Sequence, residues 1–215
     1  MPRNEICCYV EIGVIVIKAI IFDWGGVLIQ NPSQGLMTYC ANVLGVTEKK
    51  FIKEYRTYHQ EFEKGILSED HLWENICSSL CIEKPLIPSL WGYAFRAVYQ
   101  EQNEMFALAS DLKKKGYKIG FLSNTEKPAM QFFFERHYDM FDVAVFSCAE
   151  GTRKPEQKIY QRILEQLHVQ PEDAVFIDDN PEYIAGAKKM GVHTILFTGY
   201  SQVKKEFQLL SVPVR

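Results

Sequence analysis

A dense run of Val and Ile from Ile12 to Phe22 stops at Asp23, and Trp24-Gly25-Gly26 follows at once. A β-branched run without polar alternation predicts a strand buried on both faces, as in a parallel sheet. Parallel neighbours need crossover connections, usually helices, which cover the two faces of the sheet. Glycines directly after such a strand mark a tight turn where backbone can approach a ligand. The run therefore predicts a carboxylate and accessible backbone at the end of a buried strand.

Downstream the pattern divides. Over residues 32–98, apolar residues recur at mixed spacings of three and four, predicting helices at Ser33–Leu44, Glu48–Lys64, Ser68–Leu80 and Ser89–Tyr99. Ser68 suits an N-cap, and Pro85 and Pro88 interrupt the pattern. This stretch carries no strand signal and reads as a helical insertion. From 101 onward strands and helices alternate. Helices are expected at Asn103–Lys115, Pro128–Arg136, Gln157–Leu167 and Glu182–Met190. Strands are expected at Lys118–Leu122, Val143–Ser147, Ala174–Ile177 and Val192–Phe197. Gly116 and Gly191 punctuate two helix ends. The expected fold is α/β, a doubly wound parallel sheet built from residues 1–31 and 99–215, with 32–98 inserted as a helical unit.

Composition narrows the class. With 215 residues, 47% hydrophobic and 24% charged, the chain suits one globular core plus a modest insertion. The charge balance of 24 basic against 27 acidic residues, net −3, gives no basic surface for nucleic acid. The apolar stretch Ile12–Trp24 contains Lys18 and Asp23 and is too short to span a bilayer, so no membrane partner is expected. No cleavable signal peptide is evident, and the six cysteines include no C-x-x-C pair. Free thiols and a cytoplasmic location are the expectation. The partner class is a small molecule; oligomeric state is open.

Three of the predicted strands end in polar residues: Asp23, then Ser123-Asn124, then Asp178-Asp179. Ligands of open α/β sheets bind at the carboxyl ends of strands. If these strands are neighbours, the polar residues converge on one cleft, which Lys154 can join from the loop before Gln157. Taken singly, each residue reads as a turn, cap or solvated loop. The adjacent Asp178-Asp179 pair is less ordinary, because like charges repel unless a cation or donor joins them.

The order FDWGGVL, FLSNT, RKPE, FIDD resembles the haloacid dehalogenase-like hydrolase superfamily, across about Ile17 to Phe197. The motifs closest in kind are those of the glucose-1-phosphatase-like and epoxide hydrolase N-terminal phosphatase-like branch. The resemblance implies a Rossmann-like core with a helical C1 cap over 32–98. It implies a Mg²⁺-dependent phosphatase acting on a small phosphate ester, with a sugar phosphate as one candidate. Asp23 would be the nucleophile, giving an aspartyl-phosphate. Ser123 and Asn124 would bind the phosphoryl oxygens, and Lys154 would neutralise charge on the phosphoryl group and Asp23. Asp23, the Gly25 carbonyl, Asp178 and Asp179 would hold Mg²⁺.

One departure from the family pattern matters. Most phosphatases of the superfamily carry an Asp two residues after the nucleophile, as the general acid and base; here that position is Gly25. Such a group contributes about 10²–10⁴-fold. Three outcomes follow: turnover restricted to esters with good leaving groups, a donor borrowed from His59, Glu61 or Glu63 of the cap, or binding without turnover. A metal-independent dehalogenase also lacks that acid, but leaves the acidic pair unexplained. His137, His168 and His193 receive no role, and Phe132–Phe134 reads as helix core.

Overall fold

The computed structural model describes residues 16–214. Strands β1 (Ala19–Phe22), β2 (Lys118–Ser123), β3 (Val143–Phe146), β4 (Ala174–Asp178) and β5 (His193–Leu196) form one parallel sheet in the order β3-β2-β1-β4-β5. The first strand thus lies at the centre, between the two others whose ends carry polar residues.

β1 is shorter than the run Ile12–Phe22 predicts. Residues 12–15 lie outside the described residues, and residues 16–18 are not strand. Ladder pairing starts at Ala19, opposite Lys118 and Ala174. Before those positions the neighbouring segments are a turn ending at Gly116 and a 3₁₀ turn at Pro171–Asp173, so no strand is available to pair.

The two sheet faces bury different cores. Ile20, Phe22, Ile119, Phe121, Val175 and Ile177 face one cluster, while Ala19, Ile21, Leu122, Ala174 and Phe176 face the other. The first face packs against α5 (Asn103–Lys114), α6 (Lys127–Glu135) and α10 (Tyr200–Leu209) through Leu112, Phe133 and Phe207. The second packs against α8 (Gln157–Leu167) and α9 (Pro181–Lys189) through Ile163 and Ile184. Burial on both faces is what makes β1 a continuous apolar run. Phe133 joins the core as expected, but Phe134 is exposed and Phe132 only partly buried. α10 was not among the expected helices; a short helix α7 (Ser147–Glu150) also follows β3.

The insertion consists of four helices joined by loops, α1 (Ser33–Val43), α2 (Glu48–Glu63), α3 (Glu69–Leu80) and α4 (Leu90–Val98). Thr47, Ser68 and Ser89 cap the last three with side-chain oxygens that accept from Lys50, His71 and Gly92 N–H groups. The chain enters and leaves the insertion along a paired ribbon. Gln30 N–H donates to the Gln100 carbonyl at 2.9 Å, and Gln102 N–H to the Leu28 carbonyl at 2.8 Å. The Gln102 amide also donates to the Gly26 and Ile29 carbonyls at 3.1 and 3.2 Å.

Candidate active site

Because β1 lies between β2 and β4, Asp23, Ser123 and Asp178 emerge side by side at the carboxyl edge of the sheet. Lys154 comes in from the loop joining α7 and α8. Its side chain is fully buried, with Nζ 2.7 Å from Asp23 Oδ1 and 2.6 Å from Asp178 Oδ2. Burial alone would pull this ammonium down. The charges of Asp178 and Asp23 outweigh it and hold Lys154 above the usual lysine range.

The carboxylates outnumber their cation. One oxygen each of Asp23, Asp178 and Asp179 lies within 4.8 Å of the others. Burial, and then the charge of Asp178, push the Asp23 carboxyl well above its usual range against the pull of Lys154. Burial, followed by Asp178, also raises Asp179. Lys154 touches both Asp23 and Asp178, and it is at Asp23 and Asp179 that the crowding of carboxylates disfavours the charged form. Asp178 has both oxygens engaged, since Oδ1 accepts the Asn180 N–H at 2.8 Å while Oδ2 takes Lys154. Asp179 has one long contact, Asn31 Nδ2 at 3.4 Å, and lines an open cavity.

Asn124 and Lys154 are locked together. Asn124 Nδ2 donates to the Lys154 carbonyl at 3.0 Å, and the Lys154 N–H donates to Asn124 Oδ1 at 2.8 Å. This reciprocal pair fixes the loop that carries the lysine. It also means that Asn124 does not cap α6; the residue at that N-cap is Glu126, whose side chain makes no capping bond.

The left-handed backbone of this turn is at Gly26, with φ +85°, and not at Gly25. A Cβ on Gly25 would meet Pro32 Cδ at 3.2 Å, so Pro32 bounds that position. Trp24 is buried among Phe95, Phe121 and Phe133.

A cavity of about 500 Å³ rises from this floor to the inserted helices. Asp23, Gly25, Ser123, Asn124, Lys154 and Asp179 all line it; Asp178 sits beneath, within the carboxylate cluster. Leu36 and Met37 of α1, Ile52, Tyr55 and His59 of α2, and Trp91 of α4 complete the walls. Of the three cap acids and bases expected as donors, His59 and Glu63 reach the cavity, whereas Glu61 is exposed and does not. Glu63 is already paired with Arg153 Nε at 2.7 Å. His168 is the left-handed C-cap of α8, His137 has φ 50°, and His193 opens β5; none of the three lines this cavity.

Several wall residues escape the sequence reading, Tyr55 and Glu126 among them. Glu126, two residues beyond Asn124, is only 7% exposed. Its Oε2 accepts the Trp91 indole N–H at 2.9 Å, and Tyr55 OH lies 3.3 Å from its Oε1. Its position just past the Ser123-Asn124 strand end was the available signal. Its partners depend on how α2 and α4 pack, which the local sequence does not show.

The family model for the haloacid dehalogenase-like hydrolases matches residues 17–191. The chain belongs to this family of hydrolases. Among relatives of the haloacid dehalogenase-like chain, acyl-CoA dehydrogenase family member 10 of Mus musculus is 29% identical over 90% of this chain. The match spans only 19% of that longer protein. Sesquiterpene phosphatase astK of Aspergillus oryzae is 27% identical, with 81% of this chain and 87% of its own length covered. A solved family structure from Bacteroides thetaiotaomicron, in complex with magnesium and inorganic phosphate, superposes with a TM-score of 0.72. It is 21% identical and covers 87% of this chain and 98% of its own, and it establishes the shared fold. No helix among the described residues is long and apolar enough to cross a membrane.

Proposed function

We propose that this chain hydrolyses a small phosphate monoester through an aspartyl-phosphate on Asp23, with Mg²⁺ as cofactor. The observation that carries the reading is the buried Lys154 bridging Asp23 and Asp178 beneath an open cavity. Phosphatases among the relatives support it, including one named for sesquiterpenes and a D-ribitol-5-phosphate phosphatase of Bacteroides thetaiotaomicron, 23% identical over 83% of this chain.

The donor set fits a hard divalent cation. Three clustered carboxylates with one lysine leave negative charge uncompensated, and all the donors are oxygen. Asp23, Asp179 and the Gly25 carbonyl are the ligands we assign. Asp178, whose two oxygens accept Lys154 and the Asn180 N–H, completes the acidic cluster beside them and orients Lys154. When bound, Mg²⁺ supplies charge neutralisation to the phosphoryl oxygens.

The chain's own groups do the rest. Lys154 holds Asp23 through Oδ1, so the attacking carboxylate is fixed in place. An Asp23 oxygen bonds to phosphorus as the ester P–O bond breaks, and the electron pair leaves with the alcohol oxygen. Ser123 and the Asn124 N–H bind phosphoryl oxygens, and Lys154 balances their charge. Water then cleaves the acyl phosphate and frees Asp23.

We further propose that residues 32–98 act as a cap that closes the cavity over substrate and excludes water. At about 500 Å³ the cavity suits a small metabolite, and its mixed walls accept an alcohol with both polar and apolar parts. We place this activity in the cytoplasm, where Cys40, Cys77, Cys81 and Cys148 would remain thiols.

A screen of phosphate monoesters with and without Mg²⁺ tests the reading, with Asp23→Asn as control. Mg²⁺-dependent turnover that the variant lacks is expected. Turnover by Asp23→Asn at the wild-type rate overturns the nucleophile. No turnover of any ester by the wild type leaves a binding protein instead.

A further inference from the structure

We propose that Tyr55 and Glu126 form a proton relay to the departing alcohol oxygen, in the place of the acid missing at Gly25. This rests on the phosphatase reading above. The Tyr55 hydroxyl would touch the leaving oxygen, and Glu126 would act through it.

The geometry supports the relay in three ways. Both residues line the cavity that begins at Asp23. They lie on opposite sides of the cleft, Tyr55 on α2 and Glu126 on the loop after β2, so the pair exists when the inserted helices stand over the sheet. Glu126 is held in one orientation, because the Trp91 indole N–H occupies Oε2 and leaves Oε1 toward Tyr55 OH at 3.3 Å. Tyr55 is steadied in turn by stacking on Trp91 and Phe51, with centroids at 5.0 and 5.9 Å.

The chemistry suits an acid. Among the described residues Glu126 joins no ion pair; its neighbour Glu63 is the carboxylate that takes Arg153. The other titratable groups that bear on it are Tyr55 and Glu63 of α2, Cys40 of α1 and Cys148 of α7. Burial, then the charge of Glu63, pushes the Glu126 carboxyl up to about 8, so a proton is present near neutral pH. Burial also holds Tyr55 well above the usual phenol range, so it cannot act alone as a store of charge.

The transfer balances. As the P–O bond breaks, the alcohol oxygen takes the Tyr55 proton and Tyr55 takes the Glu126 proton, leaving a carboxylate. When water attacks the aspartyl-phosphate, its proton returns by the same route, and both groups are restored. An acid that works near its own pKa is well placed for both halves.

The test is a series of phosphate monoesters from 4-nitrophenyl through phenyl to simple alkyl, on the full chain with Mg²⁺. Glu126→Gln keeps both hydrogen-bonding positions and removes the proton. Tyr55→Phe keeps the ring and removes the hydroxyl, and serves alone if the Gln variant melts early. In each variant kcat/KM should fall about 10²-fold for alkyl esters and only slightly for 4-nitrophenyl phosphate. The wild-type rate should also fall toward alkaline pH, and Glu126→Gln should lose that limb. An equal loss for every ester, or none, overturns the relay. If Asp23→Asn remains fully active, the nucleophile is wrong as well. If it is inactive while the losses are uniform, the relay alone fails.

Discussion

The carboxylate of Asp179 fills the space beside Gly26: a Cβ on that glycine would stand 2.0 Å from Asp179 Oδ2. Gly26 also has φ +85°, a conformation that side chains rarely adopt. The loop after β1 and the end of β4 are thus fitted to each other at one point, and the loop sets where the Asp179 carboxylate stands.

Gly26→Ala should therefore displace Asp179. We expect a fold that melts earlier, with strain of about 1–3 kcal/mol at this residue. Mg²⁺ should bind about tenfold or more weakly, as when the support of a metal ligand is disturbed. Thermal melting and the Mg²⁺ dependence of phosphate-analogue binding measure the two effects.

Asp178→Asn and Asp179→Asn should separate. Asp178 is fully buried with Lys154 and the Asn180 N–H as partners, so its loss should cost stability and activity together. Asp179 faces the cavity with one long hydrogen bond, so its loss should raise the Mg²⁺ requirement with little change in melting. Equal Mg²⁺ titrations for the two variants would contradict the assignment.

Lys154→Met leaves Asp23 and Asp178 buried without their cation. Breaking such a pair costs about 3–5 kcal/mol near neutral pH. The loss should shrink in acid. In the variant the folded carboxyls hold protons that unfolded ones release, so its stability falls as pH rises from the ordinary carboxylate range. Denaturant unfolding of both proteins at about pH 5 and about pH 8 checks the sign.

Much of the floor of the site was legible in the sequence. Asp23, Ser123 and Asp178 each end a strand buried on both faces, and a polar residue after such a run stands out. Thr47, Ser68 and Ser89 cap helices by local chemistry alone, though only Ser68 was read as a cap. The roof was not legible. Tyr55 recurs with Phe51 at helical spacing and reads as ordinary core, and Glu126 gains its partners only when α2 and α4 pack over the sheet. α10 was missed because Val203 and Phe207 are its only buried positions, too few for a clear period.

Glu126 should also mark the pH dependence of folding. Burial and Glu63 raise it to about 8 in the folded chain, while an unfolded glutamate titrates near about 4.3. Its contribution is full below the unfolded value and is lost progressively as pH rises through the folded one. The melting temperature of Glu126→Gln, subtracted from that of the wild type, should fall across this window. A difference that is flat with pH would show that Glu126 is already ionised when folded.

Gly25→Asp offers a rescue. Gly25 is not in the left-handed region, and a new Cβ would meet Pro32 Cδ at 3.2 Å, which must yield by a few tenths of an ångström. Placed in the Glu126→Gln background, this substitution should restore part of the alkyl ester rate while leaving 4-nitrophenyl phosphate nearly unchanged. Steady-state rates on the two esters decide it.

The ribbon formed by the two crossings, Gln30 with Gln100 and Leu28 with Gln102, has a consequence for how such a chain can diversify. Its bonds are made by backbone, and the Gln102 amide grips the Gly26 and Ile29 carbonyls on the sheet side of the junction. Whatever lies beyond the ribbon hangs from a mount whose shape owes nothing to its own sequence. The helices past it can vary wherever they leave Tyr55, Glu63 and Trp91 in contact with Glu126 and Arg153, and Asp23 keeps its place on the sheet. Under the proposed function, a new alcohol is accommodated by changing apolar walls such as Met37 and Ile52 while Asp23, Ser123 and Lys154 stay where the sheet puts them.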